Sequence, residues 1–225
     1  MGSRAGLVDL LLPERCVGCD GYERGLLCAA CRAGLVRLRG TLCARCGAPT
    51  AWPVERCGEC AGRRLSFASA RAAVAYEGAA RALVGAWKER GLRRLGAVAA
   101  GLVAEVVPRP RVDALAFVPG DPARSGWRGV ATAEALARAL GDLWELPVVA
   151  LVRRTRPLRR QQGLSRDLRR LNVRDAFEAL SSPARIGIVD DVYTTGATVG
   201  AAARSLRRAG ARSVHVVTFA RAVRR

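Results

Sequence analysis

The chain has 225 residues, half of them apolar, enough for one sizeable core with a small appendage and too few for two full-sized domains. No stretch approaches the roughly 20 apolar residues of a membrane-spanning helix, which excludes a helical membrane protein and leaves a globular one. The formal net charge is +19 and the pI is near 11.3; Lys88 is the only lysine, so nearly all of this charge is guanidinium. That charge has two readings: attraction to phosphate in a nucleotide, a phosphorylated sugar or a nucleic acid, or arginines that merely fill solvated faces.

From the N-terminus, "GLVDLLLPERC" puts Asp9 inside a short apolar run and carries no small-residue cleavage site. No targeting segment is expected, and the expected compartment is the cytoplasm. All eight cysteines fall before residue 61, as Cys16/Cys19, Cys28/Cys31, Cys43/Cys46 and Cys57/Cys60. Two intervening residues let both thiolates of a pair face one cation, and two pairs complete the closed tetrahedral site of structural zinc. Taken in order, the pairs give one site from the first four cysteines and one from the last four, although an interleaved, cross-braced pairing also satisfies the spacing. With every ligand a cysteine there is no open position for water, so the metal is expected to be structural. Residues 1–65 are thus expected to form a zinc-ribbon module.

Beyond it, helical and strand patterns alternate. "FASARAAVAY" reads as an edge strand, "AARALVGAWKERG" as a helix closed by Gly91, and "RLGAVAAGLVAEVV" as a helix stopped by Pro108. "VDALAFVPG" reads as a buried strand, "GVATAEALARALGDLW" as a helix and "PVVALV" as a further strand. An arginine-rich polar stretch from Arg153 to Asp175 follows, then the strand "RIGIVDD", the helix "TVGAAARSLRRAG" and the strand "SVHVVTFA". Strands separated by crossover helices predict an α/β domain over residues 66–225, a mostly parallel sheet flanked by helices.

Ligands of such sheets collect at the carboxyl ends of the strands. There "IVDDVYTTGAT" ends an apolar run in Asp190 and Asp191 and leads through Thr194, Thr195, Gly196 and Ala197 into a helix starting near Thr198. Amides and hydroxyls at a helix N-terminus can surround a phosphate, and Gly196 permits close approach. The aspartates carry the wrong charge for phosphate and suit sugar hydroxyls, or the magnesium that a sugar diphosphate brings. The alternative is plain helix-capping chemistry.

"IVDDVYTTGAT" resembles the phosphoribosyl pyrophosphate (PRPP) signature of type I phosphoribosyltransferases. With "LLLPERCVGC", "LCAACRAGL", "RALVGAWKERG", "VPGDPARSGWRG" and "QQGLSRDLRRLNVRDAF", the chain resembles the ComF group of that superfamily over almost its full length. The resemblance implies magnesium-dependent displacement of pyrophosphate from PRPP by a nitrogen acceptor of unidentified structure. It implies that Thr194, Thr195, Gly196, Ala197 and Thr198 hold the 5′-phosphate and that Asp190 and Asp191 contact the ribose hydroxyls. Arg124 and Arg128, in the loop after Val118 and Pro119, would meet pyrophosphate. The stretch from Arg153 to Phe177, with Gln161, Arg169 and Asn172, would be a hood from which Arg169 or a neighbour closes over it. ComF proteins are associated with natural competence, which adds a second expectation: single-stranded DNA or a helicase as partner, with the PRPP site as a sensor. One departure is "RGVATAEAL", which puts Val130, Ala131 and Thr132 where the family usually has an aromatic residue, Asn and Gln. His215 and the four tryptophans are expected in core, edge or anchor roles.

Overall fold

The computed structural model describes residues 15–22, 25–120, 131–155 and 175–223. The helices are α1 (Ala29–Ala33), α2 (Gly78–Arg90), α3 (Leu95–Val106), α4 (Thr132–Trp144) and α5 (Ala197–Arg208). The strands are β1 (Ser69–Ala75), β2 (Ala114–Phe117), β3 (Arg153–Arg154), β4 (Phe177–Glu178), β5 (Arg185–Tyr193) and β6 (Ser213–Arg221). The main sheet runs in the order β1-β6-β5-β2 with every neighbour parallel, and β3 and β4 form a separate antiparallel pair.

Side chains alternate across each strand, and the two faces fill two cores. Leu115, Phe117, Val189, Val217 and Phe219 enter one core with Leu83 and Trp87 of α2, Leu95 and Leu102 of α3, and Leu136 and Leu140 of α4. Ala114, Ala116, Ile186, Ile188, Val214 and Val216 enter the other with Val199, Ala202 and Leu206 of α5 and Phe177 of β4. Full burial of each large side chain contributes roughly 1.5–3 kcal/mol. Coverage on both faces explains why β5 and β6 read as nearly unbroken apolar runs.

Two elements differ from their sequence expectation. "PVVALV" pairs with β2 only through a bridge between Leu115 and Val148, where the Leu115 amide donates to Pro147 O and the Val149 amide to Leu115 O, both at 2.8 Å. Strand β5, in turn, runs two residues beyond the expected "RIGIVDD", to Tyr193. Its ladder with β6 continues through Asp190↔Thr218, Val192↔Ala220 and Tyr193↔Arg221, because β6 is equally long and supplies the backbone partners. The aspartates therefore sit within a rigid, paired strand end.

The cysteine-rich segment lies against this sheet. Residues 36–38, between its second and third cysteine pairs, cover the free edge of β1: the Leu38 amide donates to Ala73 O and the Ala75 amide to Val36 O, each at 2.8 Å. An edge strand so paired no longer offers unsatisfied backbone groups. Val17 and Leu35 join the core beside α2, whereas Cys43, Cys46, Ala48 and Cys60 form a small apolar cluster of their own. The junction is tight at Gly47, whose φ is +70° and where an added Cβ would meet Ala70 O at 2.3 Å. Gly47→Ala should lower the urea unfolding free energy by more than about 1 kcal/mol, since both the backbone conformation and the close approach are lost.

Candidate functional site

The eight thiols gather as the consecutive pairing predicts. Cys16, Cys19, Cys28 and Cys31 form one cluster and Cys43, Cys46, Cys57 and Cys60 the other, with the sulfurs of each within 4.8 Å of one another. The interleaved arrangement is thereby ruled out. Tetrahedral zinc with Zn–S bonds of about 2.3 Å requires sulfurs roughly 3.8 Å apart. Cys19–Cys28 is 3.8 Å, Cys43–Cys60 is 3.6 Å and Cys46–Cys57 is 3.5 Å, close to that value and far beyond a disulfide bond. Amides aim at the sulfurs as well: Gly18 N and Cys28 N at Cys16 Sγ, and Cys57 N at Cys43 Sγ, all at 3.3 Å. Burial opposes a charge on Cys16, but the amides of Cys28, Gly18 and Cys19 outweigh it and bring the thiol down to about 6. Cys43 is brought to about 6 against burial by the amides of Cys46, Cys57 and Arg45. Thiolate-favouring groups at zinc spacing fit two structural zinc ions.

At the carboxyl edge of the main sheet, Asp191 is nearly buried and both of its oxygens are engaged. Oδ1 accepts from Lys88 Nζ at 2.8 Å and Oδ2 from Thr132 Oγ1 at 2.5 Å, so the end of β5 is tied to the last turn of α2 and the first residue of α4. Thr132, part of the departure noted in the sequence, therefore orients an acidic residue. Burial works against the charge on Lys88, yet the carboxylates of Asp191 and Asp190 raise its pKa overall. Asp190 lies on the opposite face of β5, where Oδ1 accepts from the Asp191 amide at 2.9 Å. Burial first, and then the Asp191 charge, push its carboxyl from 3.8 up to about 7 against the pull of Lys88.

The following loop has a defined floor. Gly196 is left-handed at φ +71°, and a Cβ there would meet Tyr193 Oη at 2.4 Å, so the loop lies directly on the Tyr193 ring. Thr195 Oγ1 accepts from the Ala197 amide at 3.3 Å, and α5 begins at Ala197, one residue before the expected start. Thr194 is exposed, and Thr195, Ala197 and Thr198 are half-buried at the helix N-terminus. Arg154 Nε donates at 2.9 Å to the carbonyls of both Pro119 and Gly120, tying the stem of the expected hood to the loop after β2. Arg124, Arg128, Arg169, Gln161 and Asn172 lie outside the described residues. His215 sits between Ser69 and Ser213, its ring nitrogens 2.9 and 3.0 Å from their hydroxyls, in a strand-bracing role. Trp87 and Trp144 are core residues, Trp52 is exposed, and Trp127 lies outside the described residues.

Residues 7–61 match the family described as Double zinc ribbon domain. DNA utilization protein YhgH of Salmonella typhimurium is 32% identical to the chain over 204 residues, which cover 84% of this chain and 88% of that protein. Competence protein F of Haemophilus influenzae is 27% identical over 224 residues, covering 92% and 97%. The chain belongs to the ComF family. Another relative, DNA utilization protein YhgH of Escherichia coli O157:H7, is 30% identical over 204 residues, covering 84% and 88%. Among the described residues, no helix of this ComF protein is long and apolar enough to cross a membrane.

Several basic residues of the ComF site carry no motif of their own. Lys88 was visible in the sequence only as the lone lysine, and Arg221 only as a charge ending the apolar run of β6. Arg63 and Arg154 stand among other arginines with nothing to single them out, since their partners are backbone carbonyls distant in sequence.

Purified protein should carry two zinc ions per chain, and Cys43→Ser should reduce the metal content by one, read by elemental analysis. Asp190 predicts a pH dependence. The unfolded chain ionises near 3.8 and the folded one near 7, so through that window the folded state holds more protons and this group makes stability fall as pH rises. Asp190→Asn should flatten the decline in urea midpoint between about pH 5 and about pH 7.5 relative to wild type.

Proposed function

We propose that this chain binds PRPP at the carboxyl edge of its main sheet and acts as a phosphoribosyltransferase toward a nitrogen acceptor in the cytoplasm. Residues 66–225 are the transferase domain on this reading, and residues 1–65 the zinc-ribbon module. One observation carries it: a single strand end joins the Asp190–Asp191 pair to a loop that rests on Tyr193 and opens into the N-terminus of α5.

Each part has a chemical task. Amides and hydroxyls of Thr194, Thr195, Gly196, Ala197 and Thr198 hold the 5′-phosphate at the positive end of the α5 dipole. Asp190 and Asp191, a short way back along the same strand, receive the ribose hydroxyls. With phosphate and hydroxyls both fixed, the anomeric carbon faces the acceptor in one orientation. The acceptor nitrogen forms its bond to that carbon as the bond to pyrophosphate breaks, and the electron pair leaves with pyrophosphate. Positive charge that develops on the sugar ring is favoured by Asp190 in its ionised form. Arg124 and Arg128 take the negative charge of the leaving group, and Arg169 covers it and excludes water.

The acidic pair does not fit a divalent cation directly. Both Asp191 oxygens are held by Lys88 and Thr132, and burial drives Asp190 toward its neutral form. Magnesium enters this reading only as the counter-ion that the diphosphate brings.

A second reading is favoured by the names of the relatives and by the charge. On it, the chain is an adaptor of DNA uptake that contacts single-stranded DNA or a helicase and uses the PRPP site as a sensor. Arg32, Arg37 and Arg39 converge on Glu105 alone among the described carboxylates, leaving excess positive charge on that face, and Arg204, Arg207 and Arg212 are exposed near the other end of the sheet.

In calorimetric titration, PRPP with magnesium should bind the zinc-loaded protein more tightly than ribose 5-phosphate, and Asp190→Ala with Asp191→Ala should abolish PRPP binding. Unchanged affinity in that variant would remove the transferase reading. Equal affinity for PRPP and ribose 5-phosphate would favour the adaptor, whose binding to single-stranded DNA should weaken steeply as salt rises.

A further inference from the structure

Arg221, the last residue of β6, is charged and 1% exposed. Its guanidinium lies 4.6 Å from the centre of the Tyr193 ring, the ring on which Gly196 rests. From there it reaches into the second cysteine cluster: Nη1 donates to Cys46 O at 2.7 Å, and Nη2 pairs with Glu59 Oε2 at 2.9 Å and lies 3.9 Å from Cys46 Sγ. A second arginine runs parallel to it. Arg63 Nη1 donates to Glu59 O at 3.3 Å and Nη2 to Thr195 O at 2.6 Å.

Both routes begin at Glu59, which stands inside the fourth Cys-x-x-Cys pair, between Cys57 and Cys60. Its carboxylate takes one arginine and its carbonyl the other. Cys46 belongs to the opposite pair of the same cluster, so the binding site of Arg221 exists only while the two knuckles are closed on each other. A buried guanidinium that loses one of its partners is costly, and Arg221 packs against the Tyr193 ring. The thiolates, Glu59 and Arg221 thus form one compensated group, and the loop is its upper surface.

We propose that Glu59, Arg63 and Arg221 are positioning residues: they transmit the closed shape of the second cysteine cluster to residues 194–198, which hold their anion-binding geometry only while that cluster is intact. The part of this inference that concerns ligand rests on the PRPP reading above; the part that concerns loop shape does not. The second cluster is thereby distinct from the first, which packs against α2 through Val17 and Leu35. Loss of metal from the second cluster weakens phosphate binding, whereas loss from the first acts only on the fold.

The test uses the full zinc-loaded chain and compares wild type with Arg63→Ala, Glu59→Gln and Arg221→Lys. Amide hydrogen exchange is read without ligand, together with zinc content and ribose 5-phosphate affinity. The expected result is exchange of the 193–199 amides faster by about tenfold in Arg63→Ala and Glu59→Gln, a factor typical for loss of a charge-assisted hydrogen bond. Exchange of the 186–189 amides and zinc content should stay at wild-type values, the dissociation constant for ribose 5-phosphate should rise by a similar factor, and Arg221→Lys should fall between wild type and the other two. Arg63 touches no sulfur, so its variant keeps the test decisive if Glu59→Gln loses metal or Arg221→Lys fails to fold. Loop exchange in Arg63→Ala equal to wild type overturns the inference. Raised loop exchange in a protein whose wild type binds neither ribose 5-phosphate nor PRPP overturns the PRPP reading instead and leaves the positioning role standing.

Discussion

Tyr193 and Arg221 are register partners at the ends of the two central strands, and the carboxyl edge of the sheet is assembled around that pairing. The ladder that joins β5 to β6 does not stop where the apolar residues stop. It carries Asp190 and Asp191 out as part of a hydrogen-bonded strand, which fixes their directions to opposite faces. Backbone pairing supplies the rigidity that a loop would lack. Three residues beyond the strand end the chain turns over the Tyr193 ring at Gly196, so the distance from the acidic pair to this loop is set by the strand itself.

The electrostatics of this edge are balanced locally although the chain as a whole is strongly basic. Asp191 is neutralised by Lys88 and oriented by Thr132, while the half-buried carboxyl of Asp190 is pushed toward its neutral form. Two adjacent carboxylates could not both be buried and charged without such help. The one lysine of the chain serves this purpose. A flexible ammonium head on the last turn of α2, about half exposed along its side chain, can hold Asp191 without the planar fork that a guanidinium would bring.

The ribbons are integrated with the sheet rather than appended to it. Residues 36–38 cover the edge of β1, Val17 and Leu35 extend the core beneath α2, and the second cluster reaches the loop after β5 through two arginines. A segment of this size cannot bury enough apolar surface to fold by itself. Zinc closes each knuckle, and the sheet supplies the remaining contacts. In return the ribbon occupies the β1 edge, which would otherwise invite pairing with another chain.

Much of this was legible in the sequence, because it rests on local spacing. Eight cysteines in Cys-x-x-Cys pairs specified two metal sites, and alternating apolar runs and helical stretches specified the α/β layering. The order of aspartates, threonines and glycine marked the strand end, the turn at Gly196 and the helix start for the same reason: those residues act on neighbours a few positions away. Spacing left two ways of sharing the cysteine pairs open, and the continuation of β5 past the aspartates to Tyr193 was not legible, because it depends on the length of a partner strand more than 20 residues onward. Thr132 stood out in the sequence only as part of a departure from the family pattern, and it orients Asp191 from another element. Local composition and spacing therefore determined the metal chemistry, the layer architecture and the position of the loop. The tertiary structure alone decided how these are joined, through Lys88 to Asp191, Arg63 to Thr195 and Arg221 to Glu59, because each contact links residues at least 100 positions apart and leaves no periodic trace in the chain.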